Sequence, residues 1–199
     1  MSPIVHAQQG DDIGYIEGAG FTIGAGFVYT SGREKVFDLA DFEYAEFSYF
    51  GGGVSTDQVS TGPYMGFVTG WSQLDNSSVE QYAGPSAAGN AGVSIPGPFK
   101  VSPGTSWTGF VSLTGPLKGL TQSLNIGVSP LNLTPFSATG TVTNYSLDSV
   151  VVEFRSDPNL PPSRDDALRF QQFAREKILN PVLESVVVDE IDRVQREWK

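Results

Sequence analysis

An alternation of small residues with large apolar ones at positions 19–30 is the feature that most limits what this sequence can fold into. Successive residues of a β-strand face opposite sides. Read as a strand, this run has one apolar face, which includes Phe21, Ile23 and Phe27, and an opposite face of glycine and threonine. A strand face without large side chains lets a flat ring, another backbone or a ligand come close. We expect this face to form an inner wall of the fold.

The same alternation recurs along the chain, at residues 64–71, 89–95, 106–114, 120–128, 136–145 and 149–155. Short strands at regular spacing, separated by turn residues, are typical of barrels and sandwiches. The sequence therefore predicts a mainly β fold, an antiparallel glycine-rich β-barrel or β-sandwich. Segment 36–50 is aromatic and acidic and fits either a strand or a helix.

The C-terminal region shows helical spacing instead. Ser163 followed by Asp166 is a helix start signal, and Asn180 before Pro181 is a second one. We divide the chain into a flexible leader at 1–12, a β-rich domain at 13–156, and a proline-rich spacer with an amphipathic C-terminal helix at 157–199. The helix carries a narrow apolar stripe, which predicts contact with a partner protein or self-association. Its members are Leu183, Val187, Ile191, Val194 and Trp198.

Charge and residue content exclude several kinds of function. The 22 acidic against 12 basic residues give a formal net charge of −10, which disfavours nucleic-acid binding. There is no cysteine, and the single histidine, His6, lies in the leader, so we expect neither a metal site nor a cofactor. The sequence contains no run of about 18 apolar residues and therefore predicts no integral transmembrane helix. Residues 5–9 resemble the end of a signal peptide, which favours a secreted or cell-surface protein and leaves a cytoplasmic one open.

Two sets of residues are candidates for a site. The glycine face and two tryptophans would form the wall of a pocket for a small apolar ligand. Asp41 and Glu43 would share a strand face, where two carboxylates could act in hydrolysis. The predicted pocket consists of Gly20, Gly24, Gly26, Trp71 and Trp107.

The absence of catalytic motifs favours a non-enzymatic binding or interaction module, which would bind a hydrophobic ligand, a partner protein or a surface. A structural or assembly protein of a virion, appendage or secreted complex is the alternative, and a carboxylate-dependent hydrolase is a further one. The glycine-alternating strands are also similar in texture to those of outer-membrane barrels and of glycine-rich bacterial secreted proteins. A membrane barrel suits the small inward residues, but the acidic segment 38–46 and the terminal helix argue against it.

Overall fold

The protein is mostly antiparallel β-structure followed by two helices, as a computed structural model shows. The structure describes residues 13–56, 59–69, 78–95, 101–128, 136–157 and 160–197. Two α-helices follow the strands: α1 (Arg164–Lys177) and α2 (Pro181–Glu197). The strands are β1 (Ile13–Asp38), β2 (Glu43–Ser55), β3 (Val59–Thr69), β4 (Gly84–Ser94), β5 (Val101–Ser112), β6 (Lys118–Val128), β7 (Phe136–Leu147) and β8 (Val152–Glu153).

The strands close into a barrel. Neighbouring strands follow the order β1-β3-β6-β5-β4-β7-β2, and β2 pairs with β1 to complete the ring. All pairings are antiparallel, and the two-residue β8 adds to the start of β2. The predicted mainly β fold with a C-terminal helical segment is confirmed, and of the two predicted architectures the barrel is the one that forms.

Strand β1 folds back on itself and fills two places in the barrel wall. Its first half pairs with β3 and its second half with β2. The two halves lie side by side, and Thr22 Oγ1 of the first half donates a hydrogen bond to Thr30 Oγ1 of the second half at 3.2 Å. The reversal uses Gly24 and Gly26, whose φ angles are 142° and 76°, a region that L side chains rarely adopt. We call this end of the barrel the upper end.

Segment 36–50, which fitted either a strand or a helix in sequence, forms a strand, a turn and a second strand. It contains the end of β1, a turn at 39–42 and the start of β2. Asp38 Oδ1 accepts a hydrogen bond from the Ala40 backbone N at 2.8 Å and so fixes the turn. Asp41 lies in this turn, so the expectation that it shares a strand face with Glu43 is wrong. The turn marks the lower end of the barrel.

The helices pack on the outside of the lower end, against β1, β2 and β3. Their apolar residues join a buried cluster with the lower ends of these strands. Leu183, Val187 and Ile191 of the predicted stripe are buried in this cluster, and Val194 packs at its edge. The chain's own barrel therefore covers this surface, and Trp198 lies outside the described residues. The other members are Phe37, Leu39, Phe42, Tyr44, Ala167, Phe170, Ala174 and Ile178.

Both predicted helix starts are present. Ser163 Oγ accepts a hydrogen bond from the Asp166 N at 3.1 Å, and the Asp166 carboxylate accepts one from the Ser163 N at 2.9 Å, which completes a capping box. Asn180 Oδ1 accepts from the Val182 N at 2.9 Å and caps α2 in the same way. Each helix begins where its sequence signal lies.

Candidate functional site

The interior of the upper barrel is a small polar lumen with a volume of about 140 Å³. Inward positions on the strands carry glycine and short hydroxyl or amide side chains, while large apolar residues occupy the outward positions. An eight-stranded barrel is just wide enough for such side chains to fill it or to leave room for one small ligand. The polar residues that line the lumen include Thr22, Thr30, Ser60, Asn90, Ser106, Thr108, Thr121, Ser123, Asn125, Thr139, Thr141 and Thr143.

Glu34 and a group of tyrosines form the floor of this lumen. Glu34 is only 5% exposed, and its carboxylate accepts hydrogen bonds from three phenols. The donors are Tyr64 Oη at 2.6 Å, Tyr82 Oη at 2.5 Å and Tyr145 Oη at 3.4 Å. Tyr49 packs on the Tyr145 ring with centroids 5.2 Å apart. Phenol donors stabilise a carboxylate inside a protein, where it has lost its hydration.

Glycines of β1 allow these tyrosines to lie against the barrel wall. A Cβ at Gly18 would lie 2.5 Å from the Tyr64 ring, and one at Gly20 would lie 2.1 Å from Tyr49 Oη. Gly32 is bounded by Tyr49 in the same way, at 2.5 Å. The bare face of β1 thus accommodates flat rings, which is one of the uses that its glycine pattern predicts.

Below the tyrosines the lower end is filled with apolar residues. A 3₁₀ turn at Val79–Tyr82 enters the barrel there, and Phe47 packs edge-on against Tyr82 with centroids 5.0 Å apart. This cluster closes the lower end of the lumen. We call it the plug, and its buried members are Ile16, Val36, Ala45, Phe47, Val68, Val79, Tyr82, Phe110 and Leu117.

The outer wall has the opposite character, with many large apolar side chains facing outward. Phe27 is 85% exposed and Leu124 is 66% exposed. Soluble monomers rarely expose a continuous apolar surface of this extent, and such a surface marks a site of contact with protein or membrane. We call this set the apolar belt: Phe21, Ile23, Phe27, Tyr29, Phe50, Val54, Val93, Ile95, Trp107, Val111, Leu113, Leu120, Leu124, Ile126, Phe136 and Val142.

Charged residues are nearly absent from β3–β7 and from the upper parts of β1 and β2, which carry the belt. Between Phe47 and Leu147 the sequence has five charged residues. Of the two that the structure describes, Glu80 lies in the 3₁₀ turn and Lys118 lies at the first position of β6. The outward charges of β1 and β2 lie near the helices instead. Glu17 forms an ion pair with Lys35 at 3.2 Å, and its carboxylate accepts hydrogen bonds from the backbone of the α1–α2 connection. The five are Asp57, Asp75, Glu80, Lys100 and Lys118.

The structure separates the residues that were predicted to form one apolar pocket. Gly20 lines the lumen, whereas Gly24 and Gly26 lie at the upper reversal of β1. Trp107 belongs to the belt and is 44% exposed, and Trp71 lies outside the described residues. The lumen that Gly20 lines is mostly hydroxyl and amide, so its chemistry suits a polar ligand better than the small apolar one that we expected.

The two candidate hydrolytic carboxylates have structural partners. Asp41 forms an ion pair with Arg155 at 2.5 Å, and Glu43 Oε2 accepts a hydrogen bond from the Val79 N at 2.8 Å. Neither residue lines the lumen. Their contacts tie the lower turn and the 3₁₀ turn to the barrel, and nothing in their geometry supports a hydrolytic pair.

Two observations concern metals and helices. Within the described ranges, no three acidic or histidine side chains come together in a way that could hold a metal ion. No described helix is both long enough and apolar enough to cross a bilayer.

Two aspartates below the belt have shifted pKa values. Burial raises the pKa of Asp38 to about 8, and the nearby carboxylates of Asp41 and Glu43 act in the same direction. Burial also opposes ionisation of Asp166, but hydrogen bonds from Ser156, Ser163 and Arg169 hold the pKa of that carboxyl well below its usual range. The first shift makes the lower turn sensitive to pH near neutrality, and the second keeps the cap of α1 ionised.

Sequence reasoning missed Glu34 at the floor of the lumen, because Glu34 and the three tyrosines that donate to it come from four separate stretches of chain. The signal for the belt was present as the run from 47 to 147, which has few charged residues and large apolar side chains at alternate positions. No protein-family model matches this chain, and comparison with curated proteins finds no match. The function must therefore be argued from the barrel itself.

Proposed function

We propose that the protein is a non-enzymatic module whose apolar belt inserts into a lipid bilayer, with the helices outside the membrane. The observation that carries this proposal is the combination of an apolar outer wall with a polar interior. This arrangement is the reverse of a water-soluble barrel and is typical of barrels that cross membranes. A surface is one of the binding targets that the sequence predicts, and the bilayer is the surface that this belt fits best.

Strand length and backbone pairing support the same proposal. Strands β2–β7 are 11 to 13 residues long, against about 9–11 residues for a tilted strand that spans the hydrocarbon layer. Closure of the barrel leaves no unpaired strand edge in lipid, where each unpaired backbone group is costly. The lipid-facing part of β1 and β2 would comprise residues 19–31 and 48–54, which lie above the outward charges Glu17, Arg33, Lys35 and Glu46.

A location at the cell surface or outside the cell belongs to this proposal. A protein with such a belt would be located at a membrane, and the signal-peptide-like residues 5–9 favour an exported chain. The C-terminal helices and the charged lower turn would face water on one side of that membrane.

Flotation with lipid vesicles tests the proposal. We expect the full chain to float with phosphatidylcholine vesicles and to resist extraction by high salt, because apolar contacts hold it. Leu124→Arg places a charge in the belt, which costs roughly 2–4 kcal/mol at the middle of a bilayer, so this variant should float poorly. Val150→Arg is the matched control, because Val150 is 85% exposed but lies below β7, outside the belt.

The same experiment can overturn the proposal. A wild-type chain that stays monomeric at high concentration without detergent and does not float would show that the belt contacts water. A chain that forms oligomers in water and does not float would show instead that copies of the chain cover the belt.

A further inference from the structure

We propose that the lumen is a binding site for a small monovalent cation of the primary ammonium class, held by the oxygen-lined wall and by Glu34 at the floor. This inference rests on the interior of the barrel and does not depend on lipid insertion. The same site would admit a hydrated alkali ion of similar size, because the oxygen ligands of the wall suit both.

The charge of the floor is the first argument. Within the described residues, no basic side chain forms an ion pair with Glu34. Lys35, its neighbour in sequence, points outward to Glu17. Burial raises the pKa of Glu34 to about 7. Above that pH, a buried carboxylate without a countercharge attracts a cation strongly, since the surrounding protein screens the charge less than water does.

The oxygen atoms around Glu34 are the second argument. Tyr64 and Tyr145, which donate to Glu34, line the lumen together with Tyr49, and their phenol oxygens have lone pairs that can accept from a cation. Above them the wall carries hydroxyls and the amides of Asn90 and Asn125. Ammonium groups need hydrogen-bond acceptors, and tyrosine faces add a favourable interaction with the ring electrons.

The size of the lumen is the third argument. The lumen admits a methylammonium ion together with several waters, since about 140 Å³ is open to the centres of water-sized molecules and one water needs about 10–15 Å³ of such space. Among the described residues, the plug closes the lower end, so the upper part of the lumen is the route to Glu34.

Calorimetric titration of the full chain in detergent, with methylammonium chloride as the probe, tests this site. We expect saturable binding of methylammonium to the wild type and no binding of acetate, which carries the opposite charge. Glu34→Gln keeps the size of the side chain and one of its two accepting oxygens but removes the charge. It should weaken methylammonium binding by about tenfold or more, the range for loss of a charged hydrogen-bond partner.

A second variant keeps the test decisive if Glu34→Gln does not fold. Thr108→Val preserves the shape of the lumen wall and removes one oxygen, so it should weaken binding by a few-fold with an unchanged fold. Two results would overturn the proposal: no saturable methylammonium binding by the wild type, or equal binding by the wild type and a folded Glu34→Gln. Neither result depends on whether the chain floats with vesicles, so this test and that of the proposed function can fail separately.

Discussion

The helix-covered lower end and the apolar belt use similar apolar residues in opposite ways. At the lower end, Phe37 on the outer face of β1 is fully buried because α1 and α2 cover it. Further up the same strand, Phe27 is 85% exposed because none of the described elements covers it. Apolar residues on the outer face of a barrel strand therefore do not show by themselves whether the chain's own helices or another surface will cover that face. In this chain, the helices cover one part, and we propose that lipid covers the rest.

The largest expected effect tests whether the lower end holds the fold. Phe170→Ala removes a fully buried ring that packs on Phe42 with centroids 5.2 Å apart. We expect the free energy of unfolding to fall by roughly 3–5 kcal/mol, measured in detergent by denaturant titration. Phe27→Ala is the control from the belt and should change the stability in detergent little, because its ring makes few contacts within the chain. Equal losses for both variants would contradict the distinction between the two regions.

A pH effect on stability should also come from Asp38 at the lower end. Burial raises the pKa of Asp38 to about 8, above its ordinary value of 3.8, so the folded state binds the proton more tightly than the unfolded state. The stability from this group is complete below pH 4 and is lost as the pH rises through about 8, by at most about 1.4 kcal/mol per pH unit.

Asp38→Asn isolates that contribution. Asparagine keeps the oxygen that accepts from Ala40 and cannot ionise, so thermal melts of the variant from pH 4 to 9 should show a flatter decline of stability than those of the wild type. Parallel pH profiles for the two proteins would show that Asp38 is already ionised in the folded state.

A third substitution tests the boundary between the regions, at the floor of the lumen. Gly18→Ala would bring a Cβ within 2.5 Å of the Tyr64 ring and push that phenol away from Glu34. We expect a loss of roughly 1–3 kcal/mol, the usual cost of overpacking. Gly140→Ala is the matched control, because a Cβ there meets no atom within 4 Å. If Gly18→Ala melted like the wild type, the floor would be more loosely packed than its geometry indicates.

The smallest expected effect lies farthest from the belt. Ser163→Ala removes the capping hydrogen bond to Asp166 and should cost about 1 kcal/mol. Circular dichroism should show a lower melting temperature with the helical signal retained. Ser185→Ala, at an exposed position of α2, is the control and should leave the melting temperature nearly unchanged. Because alanine favours a helix more than serine does, an equal loss of stability in Ser185→Ala would show that the effect does not come from the cap.

Local signals explain which parts of the fold the sequence predicted. Alternation of side-chain size along β1 and the caps at Ser163 and Asn180 depend on residues a few positions apart, so these features were predicted directly. Barrel closure depends on pairing between β1 and β2 and on the fold-back at Gly24, which no local pattern shows.

The candidate site was harder to predict because its residues are far apart in sequence. Glu34 meets Tyr145 across 111 positions, and Tyr82 reaches it from the 3₁₀ turn that enters the barrel. The sequence shows that aromatic residues are abundant, and their alternation along a strand predicts which face of the sheet each one lies on. It does not predict which end of the barrel each one closes. The belt residue Trp107 was therefore placed with the lumen residue Gly20.

The contacts between the first strand and the helices also set the order in which this protein can mature. Glu17 accepts hydrogen bonds from the backbone of Leu179, 162 positions later, and Lys35 Nζ donates one to the Lys177 carbonyl, 142 positions later. Contacts this distant in sequence form slowly, because a long loop must close first. The barrel strands are synthesised before α1 and α2, which cover the surface at Phe37. Docking of the two helices is therefore a late step in the folding of this protein.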